Sequence, residues 1–175
     1  MTIVSFAIVA KYEPDATPFI LTLAVVFGFL LPIAVFIYMR KKKLIVDDDA
    51  TIKEERTLPY IIGILLTFTA TIISYFILGA ELSTLTWIVY VISSTAITII
   101  NKYWKISAHA MGVSIPLGIS IVLGNMLEIP LLIVLLVIFW SRLKLKVHTP
   151  LQLFAGALLG SLISIIILMV ASYGR

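Results

Sequence analysis

The charged side chains of this chain cluster between and beside long apolar runs, and that spacing constrains the fold more than any other feature. A run near twenty residues matches the hydrocarbon core of a bilayer, which a helix crosses at about 1.5 Å per residue. The composition agrees: 61% of residues are hydrophobic and 13% charged, with a mean hydropathy of +1.15. Soluble domains carry about 25% charge. The expected fold is therefore all-α: an integral membrane bundle of about six transmembrane helices, forming a single domain over residues 1–175. Cysteine is absent, which excludes disulfides and thiolate chemistry.

Residues 1–16 form an N-terminal segment expected at the membrane interface or tucked against the bundle. Met1–Ala10 is apolar but too short to span, and no basic stretch or cleavage site marks it as a signal peptide. The first span is expected at about Pro18–Tyr38, after Thr17-Pro18 as N-cap and first helical position, with a kink at Pro32. A charged loop over 40–58 follows, carrying Asp47-Asp48-Asp49 and Lys53-Glu54-Glu55-Arg56. The remaining spans are expected at about Pro59–Leu78, Leu85–Ile100, Ser107–Leu123, Ile129–Trp140 and Pro150–Ala171. Gly156 and Gly160 form a small-xxx-small pair for close helix packing, within the bundle or between copies.

Six spans place alternate junctions on opposite faces. One face receives Arg40, Lys41, Lys42, Lys43, Lys53, Arg56, Lys102, Lys105, Arg142, Lys144 and Lys146. The other receives Lys11 and Arg175. That asymmetry predicts a cytoplasmic charged face in a prokaryotic-type cell membrane. The chain's two histidines, His109 and His148, fall on the same face although the charge count does not require it. Ionisable groups at such helix junctions are functional-site candidates.

Ser141-Arg142, five residues and His148 resemble the third motif, Ser-Arg-x5-His, of the type 2 phosphatidic acid phosphatase superfamily, the metal-independent lipid phosphate phosphatases. Ser107-Ala108-His109 resembles the second motif, Pro-Ser-Gly-His, with Ile106 and Ala108 in place of proline and glycine. Lys53-Glu54-Glu55-Arg56 lies where the first motif, Lys-x6-Arg-Pro, belongs. The three follow one another in the family's order, over roughly residues 50–160. The resemblance implies a nucleophilic His148, His109 as acid and base, and phosphate contacts from Arg142, Ser107, Arg56 and Lys53, with no metal and no cofactor. Three departures stand out. Lys53 is only three positions before Arg56, Thr57 replaces the motif's proline, and Gln152 stands where the third motif has the aspartate that orients the histidine.

These residue types suit phosphoryl transfer on chemical grounds. Cations must surround the phosphoryl oxygens while a nucleophile attacks in line and an acid protonates the leaving oxygen. Arg offers a planar fork for phosphate, and a helix N-terminus offers backbone N–H groups. The expected substrate is a lipid phosphate or a polyprenyl diphosphate, its tail in the bilayer; no nucleic-acid partner is implied. Each residue also has a structural reading. Ser107 can be an N-cap alone, His148 an interfacial side chain, and Lys144 and Lys146 anchors for lipid headgroups. Two other functions compete: a degenerate relative that binds anionic headgroups without hydrolysis, and a metal-dependent lipid or prenyl transferase using Asp47–Asp49.

Overall fold

The structure, a computed structural model, describes residues 1–44 and 53–173, without the side chains of residues 53–57 and 173. Among the described residues the fold is helical throughout. The helices are α1 (Thr2–Val9), α2 (Thr17–Val25), α3 (Leu31–Lys41), α4 (Lys53–Leu78), α5 (Leu82–Ile100), α6 (Ala108–Leu123), α7 (Glu128–Lys144) and α8 (Pro150–Tyr173). Among the described residues, four stretches are long and apolar enough to cross a membrane: Pro14–Lys41, Leu58–Leu78, Leu82–Ile100 and Pro150–Ser172. Two of the six expected spans fall short of that length. Helix α6 has 16 residues and α7 has 17, so at about 1.5 Å per residue each is shorter than the roughly 30 Å hydrocarbon core.

The first long stretch is continuous through a π-helical turn, Val26–Leu30, immediately before Leu31-Pro32. The expected kink at Pro32 thus becomes a wide turn, a local way to accommodate a residue without an N–H. The charged loop is shorter than expected. Helix α3 runs to Lys41 and α4 begins at Lys53, which puts Pro59 inside α4 instead of at its start. Asp47–Asp49 lie outside the described residues.

Hydroxyls in these helices mostly bond back to their own backbone. Thr69 donates to the Leu65 carbonyl at 2.8 Å, Thr71 to Thr67 at 2.8 Å and Thr95 to Val91 at 2.8 Å. A helix can in this way carry hydroxyl side chains toward lipid without leaving donors unsatisfied. Helix α1 packs into the protein, with Phe6 fully buried and its ring 4.4 Å from that of Trp87. Ser5, also buried, shares a 2.8 Å hydrogen bond with Tyr90. At the end of the bundle away from the histidines, the Glu13 carboxylate accepts the Ser83 N–H at 2.8 Å and its hydroxyl at 2.7 Å, capping the first turn of α5.

Helix α6 is the axis of the bundle, buried from Ala110 to Ser120 on most of its circumference. It runs parallel to α8 at glycine-limited distance. A methyl on Gly156 would collide with the Ser107 carbonyl oxygen, and one on Gly160 with the Ser114 hydroxyl. One on Gly118 of α6 would lie 2.8 Å from the Ser161 carbonyl oxygen of α8. The Gly156 and Gly160 pair therefore packs within one chain. This contact brings the starts of α6 and α8 together at one end of the protein.

Candidate functional site

At that end lies a cleft of about 60 Å³ walled by Tyr60, Lys105, His109, Arg142, Val147 and His148. A single water needs about 10–15 Å³ on the same scale, so the cleft admits a group of several heavy atoms. Four separate stretches of chain build it: Tyr60 from α4, Lys105 from the α5–α6 connection, His109 from the first turn of α6, and the α7–α8 junction. A shallow basin of about 450 Å³ adjoins it, sharing Lys105, Val147 and His148 and adding Lys146, Thr149 and Gln152.

His109 follows directly from the N-terminus of α6. Ser107 is the N-cap; its hydroxyl accepts the Ala110 N–H at 3.3 Å, and the residue is completely buried. Its own N–H donates to the Gln152 carbonyl at 3.1 Å, tying α6 to α8. Ala108 and His109, which line the cleft, occupy the turn in which an α-helix leaves its N–H groups without intrahelical acceptors. Both α6 and α8 direct their N-terminal, positive ends toward this region.

His148 precedes the N-cap of α8, and its ring is fixed by a capping box. Thr149 is the cap: its Oγ1 accepts the Gln152 N–H at 3.4 Å, while Gln152 Oε1 accepts the Thr149 N–H at 3.0 Å. The same Oε1 lies 3.3 Å from His148 Nδ1. Since the Thr149 N–H can only donate, the Gln152 atom facing it is the amide oxygen. The histidine nitrogen beside that oxygen, Nδ1, is then the one that donates, which turns Nε2 away from the cap. Gln152 is thus both the second half of a helix cap and the partner that sets the His148 tautomer.

Arg142 lies in the last turn of α7, half-buried and in the cleft wall. Lys144 points elsewhere, its ammonium 4.8 Å from the Trp140 ring centre. That contact is a cation–π pair at the protein's edge.

The structure therefore brings together His109, Arg142 and His148, with Gln152 behind His148. Ser107 stays behind the cleft as a buried cap and is not among the residues lining it. The side chains of Lys53 and Arg56 lie outside the described residues. Tyr60 and Asn101 were not singled out by the sequence. Asn101 ends α5 with 9% of its surface exposed; its Oδ1 accepts the Ile106 N–H at 2.8 Å and its Nδ2 donates to the Tyr60 hydroxyl at 3.4 Å. One signal was available for Tyr60: it stands four residues after Arg56, the spacing that shares a helix face.

The molecule so described is a helical bundle of membrane-protein character with a histidine- and arginine-walled cleft at one end. Comparison of the chain with family models, curated proteins and solved structures finds no match.

Proposed function

We propose that this protein is a membrane-embedded, metal-independent phosphatase that hydrolyses a lipid phosphate or a polyprenyl diphosphate through a phosphohistidine. The observation that carries this reading is the meeting of His109, Arg142 and His148 in one cleft from sequence positions far apart. His148 Nε2 attacks phosphorus, and the bond from phosphorus to the leaving oxygen breaks as His109 delivers a proton to that oxygen. His109, now neutral, takes a proton from water, whose oxygen attacks the phosphohistidine. The P–N bond breaks, phosphate leaves and both rings return to their starting states. Arg142 and Lys105 stabilise the phosphoryl oxygens, joined by the first-turn N–H groups of α6. Lys53 and Arg56, which precede Tyr60 in the sequence, are proposed as further phosphate contacts from the resemblance of their segment to the first motif.

The reading also includes six membrane crossings. Helices α6 and α7 are short, but α6 is enclosed by longer helices, and the histidine cleft gathers alternate helix ends as six crossings require. The basic residues assign the cleft face to the cytoplasm. A second reading, headgroup binding without hydrolysis, draws support from Gln152, which orients His148 without the charge a carboxylate would add.

The test is phosphate release by detergent-purified protein from phosphatidic acid and from a prenyl diphosphate, with EDTA present. Release that persists in EDTA and disappears in His148→Ala is the expected result. Binding of anionic lipid without release would select the second reading, and release abolished by EDTA would select a metal-dependent enzyme.

A further inference from the structure

Helix α7 ends in a Schellman motif at the edge of the cleft. Leu145 is its C-cap; the Lys146 N–H donates to the Leu143 carbonyl at 3.0 Å and the Val147 N–H to the Arg142 carbonyl at 3.3 Å. Lys146 therefore occupies the position after the cap, at φ 54°, where glycine is the usual residue. A residue with a Cβ is held in this left-handed conformation at a cost in stability. The lysine retained there lines the basin beside His148, whereas Lys144, two residues earlier, lies against Trp140. Lys43 ends α3 with the same motif at φ 56°, yet lines neither the cleft nor the basin. A lysine at either place complements the negative end of its helix. Lys146 alone of the two adds its ammonium to a cavity wall.

The two cavities differ in what they can hold. At about 10–15 Å³ for one water, a cleft of about 60 Å³ takes one phosphoryl group and not a second. The adjoining basin, about 450 Å³, has room for another phosphate and carries Lys105 and Lys146 on its wall. Resting on the phosphatase reading, we propose that the basin is a subsite for the inner phosphate of a diphosphate substrate, and that Lys146 is the residue that selects a polyprenyl diphosphate over a lipid monophosphate. His148 Nε2 forms its bond to the terminal phosphorus as the bond from that phosphorus to the bridging oxygen breaks. The electron pair leaves with the bridging oxygen, on the prenyl monophosphate. That leaving group is a much weaker base than the alkoxide released from a monophosphate. Its departure depends more on neutralising charge than on receiving a proton, and an ammonium beside it supplies that. A glycerol ester of phosphate places no anion in the basin, so it draws no such help from Lys146.

The experiment compares kcat/KM for initial phosphate release from farnesyl diphosphate and farnesyl monophosphate, which share one tail, by the full chain in detergent with EDTA. Lys146→Gly removes the ammonium and relieves the backbone, so it should melt no lower than wild type. It should lower kcat/KM about tenfold or more for the diphosphate, as expected for one lost hydrogen bond between charged groups. For the monophosphate the change should stay within about twofold. Lys146→Arg, which keeps the charge, should retain most of the preference for the diphosphate. Lys43→Gly makes the same backbone change outside both cavities and should leave both substrates unaffected. Equal losses on the two substrates, or no loss on the diphosphate, would overturn the subsite and leave the phosphatase reading in place. A wild type that hydrolyses monophosphates but not the diphosphate would do the same. Release from neither prenyl substrate, nor from phosphatidic acid, would remove the phosphatase reading, and this inference with it.

Discussion

Gln152 performs two tasks with one oxygen, and substitutions can separate them. Gln152→Glu keeps the reach needed for the capping box and puts a carboxylate at a helix N-terminus, where negative charge is favourable. Beside His148 that carboxylate stabilises the imidazolium. Turnover should rise, by at most the roughly 10⁴ that the aspartate contributes in the Ser-His-Asp triad of serine proteases. Because the carboxylate raises the histidine pKa, the acidic limb of the pH–rate profile should move to higher pH. Gln152→Leu should instead lose turnover together with about 0.5–2 kcal/mol of stability from the cap. Equal turnover in Gln152→Glu and wild type, both folded, would mean that another group orients His148. Arg142→Lys should reduce kcat/KM more than Lys144→Ala, since a lysine cannot reproduce a two-pronged phosphate contact and Lys144 faces Trp140. Equal losses from the two would make the segment a membrane anchor. At this scale the sequence was informative where partners are close along the chain. The contact between His148 and Gln152 follows from four-residue spacing. The bond between Asn101 and Tyr60 joins residues forty-one apart and depends on how α4 meets the end of α5, which no local pattern encodes.

The decisive element pair is α6 and α8, whose parallel contact sets the distance between the two histidine-bearing helix starts. Gly156 meets backbone at Ser107, so a larger residue cannot be accommodated by a side-chain rotation. Gly156→Ala should cost roughly 1–3 kcal/mol as an overpacked contact and should reduce turnover by displacing the start of α6. Gly63→Ala is the comparison: a methyl there has nothing within 4 Å, and the gain in helix propensity should leave stability equal or slightly higher. Thermal unfolding and turnover of the two variants, measured together, separate register from general helix stability. Loss of neither in Gly156→Ala would contradict the tight contact. The glycine pair was visible in the sequence, but its partner was not. Small-residue spacing shows that a close approach exists and leaves open which helix approaches. The start of α4 was equally hidden, because Pro59 resembles a helix start although the helix already begins at Lys53, whereas its end at Leu78 is where the apolar run stops.

At the scale of the whole molecule, an all-helical membrane-type bundle was legible from composition and run length alone. The lengths of α6 and α7 were not, because a helix surrounded by other helices need not match the bilayer by itself. Met1–Ala10 illustrates the same limit: a short, mostly apolar segment fits an interface or an interior equally well, and Phe6 packing against Trp87 and Tyr90 puts one of its faces inside. The proposed orientation predicts that a cysteine at Lys42 resists impermeant thiol reagents in intact cells and reacts after permeabilisation. Labelling in intact cells would put the cleft on the outer face. The central claim concerns chemistry at one nitrogen, so the most direct measurement is to trap it. Protein incubated in EDTA with a lipid substrate carrying labelled terminal phosphate, then quenched under alkaline conditions, should hold an acid-labile label that mapping by mass spectrometry assigns to His148. The label should be absent from His148→Ala and should persist longer in His109→Ala, where water attack lacks its base. Phosphate release without any label on His148, or label equally present in His148→Ala, would contradict the account.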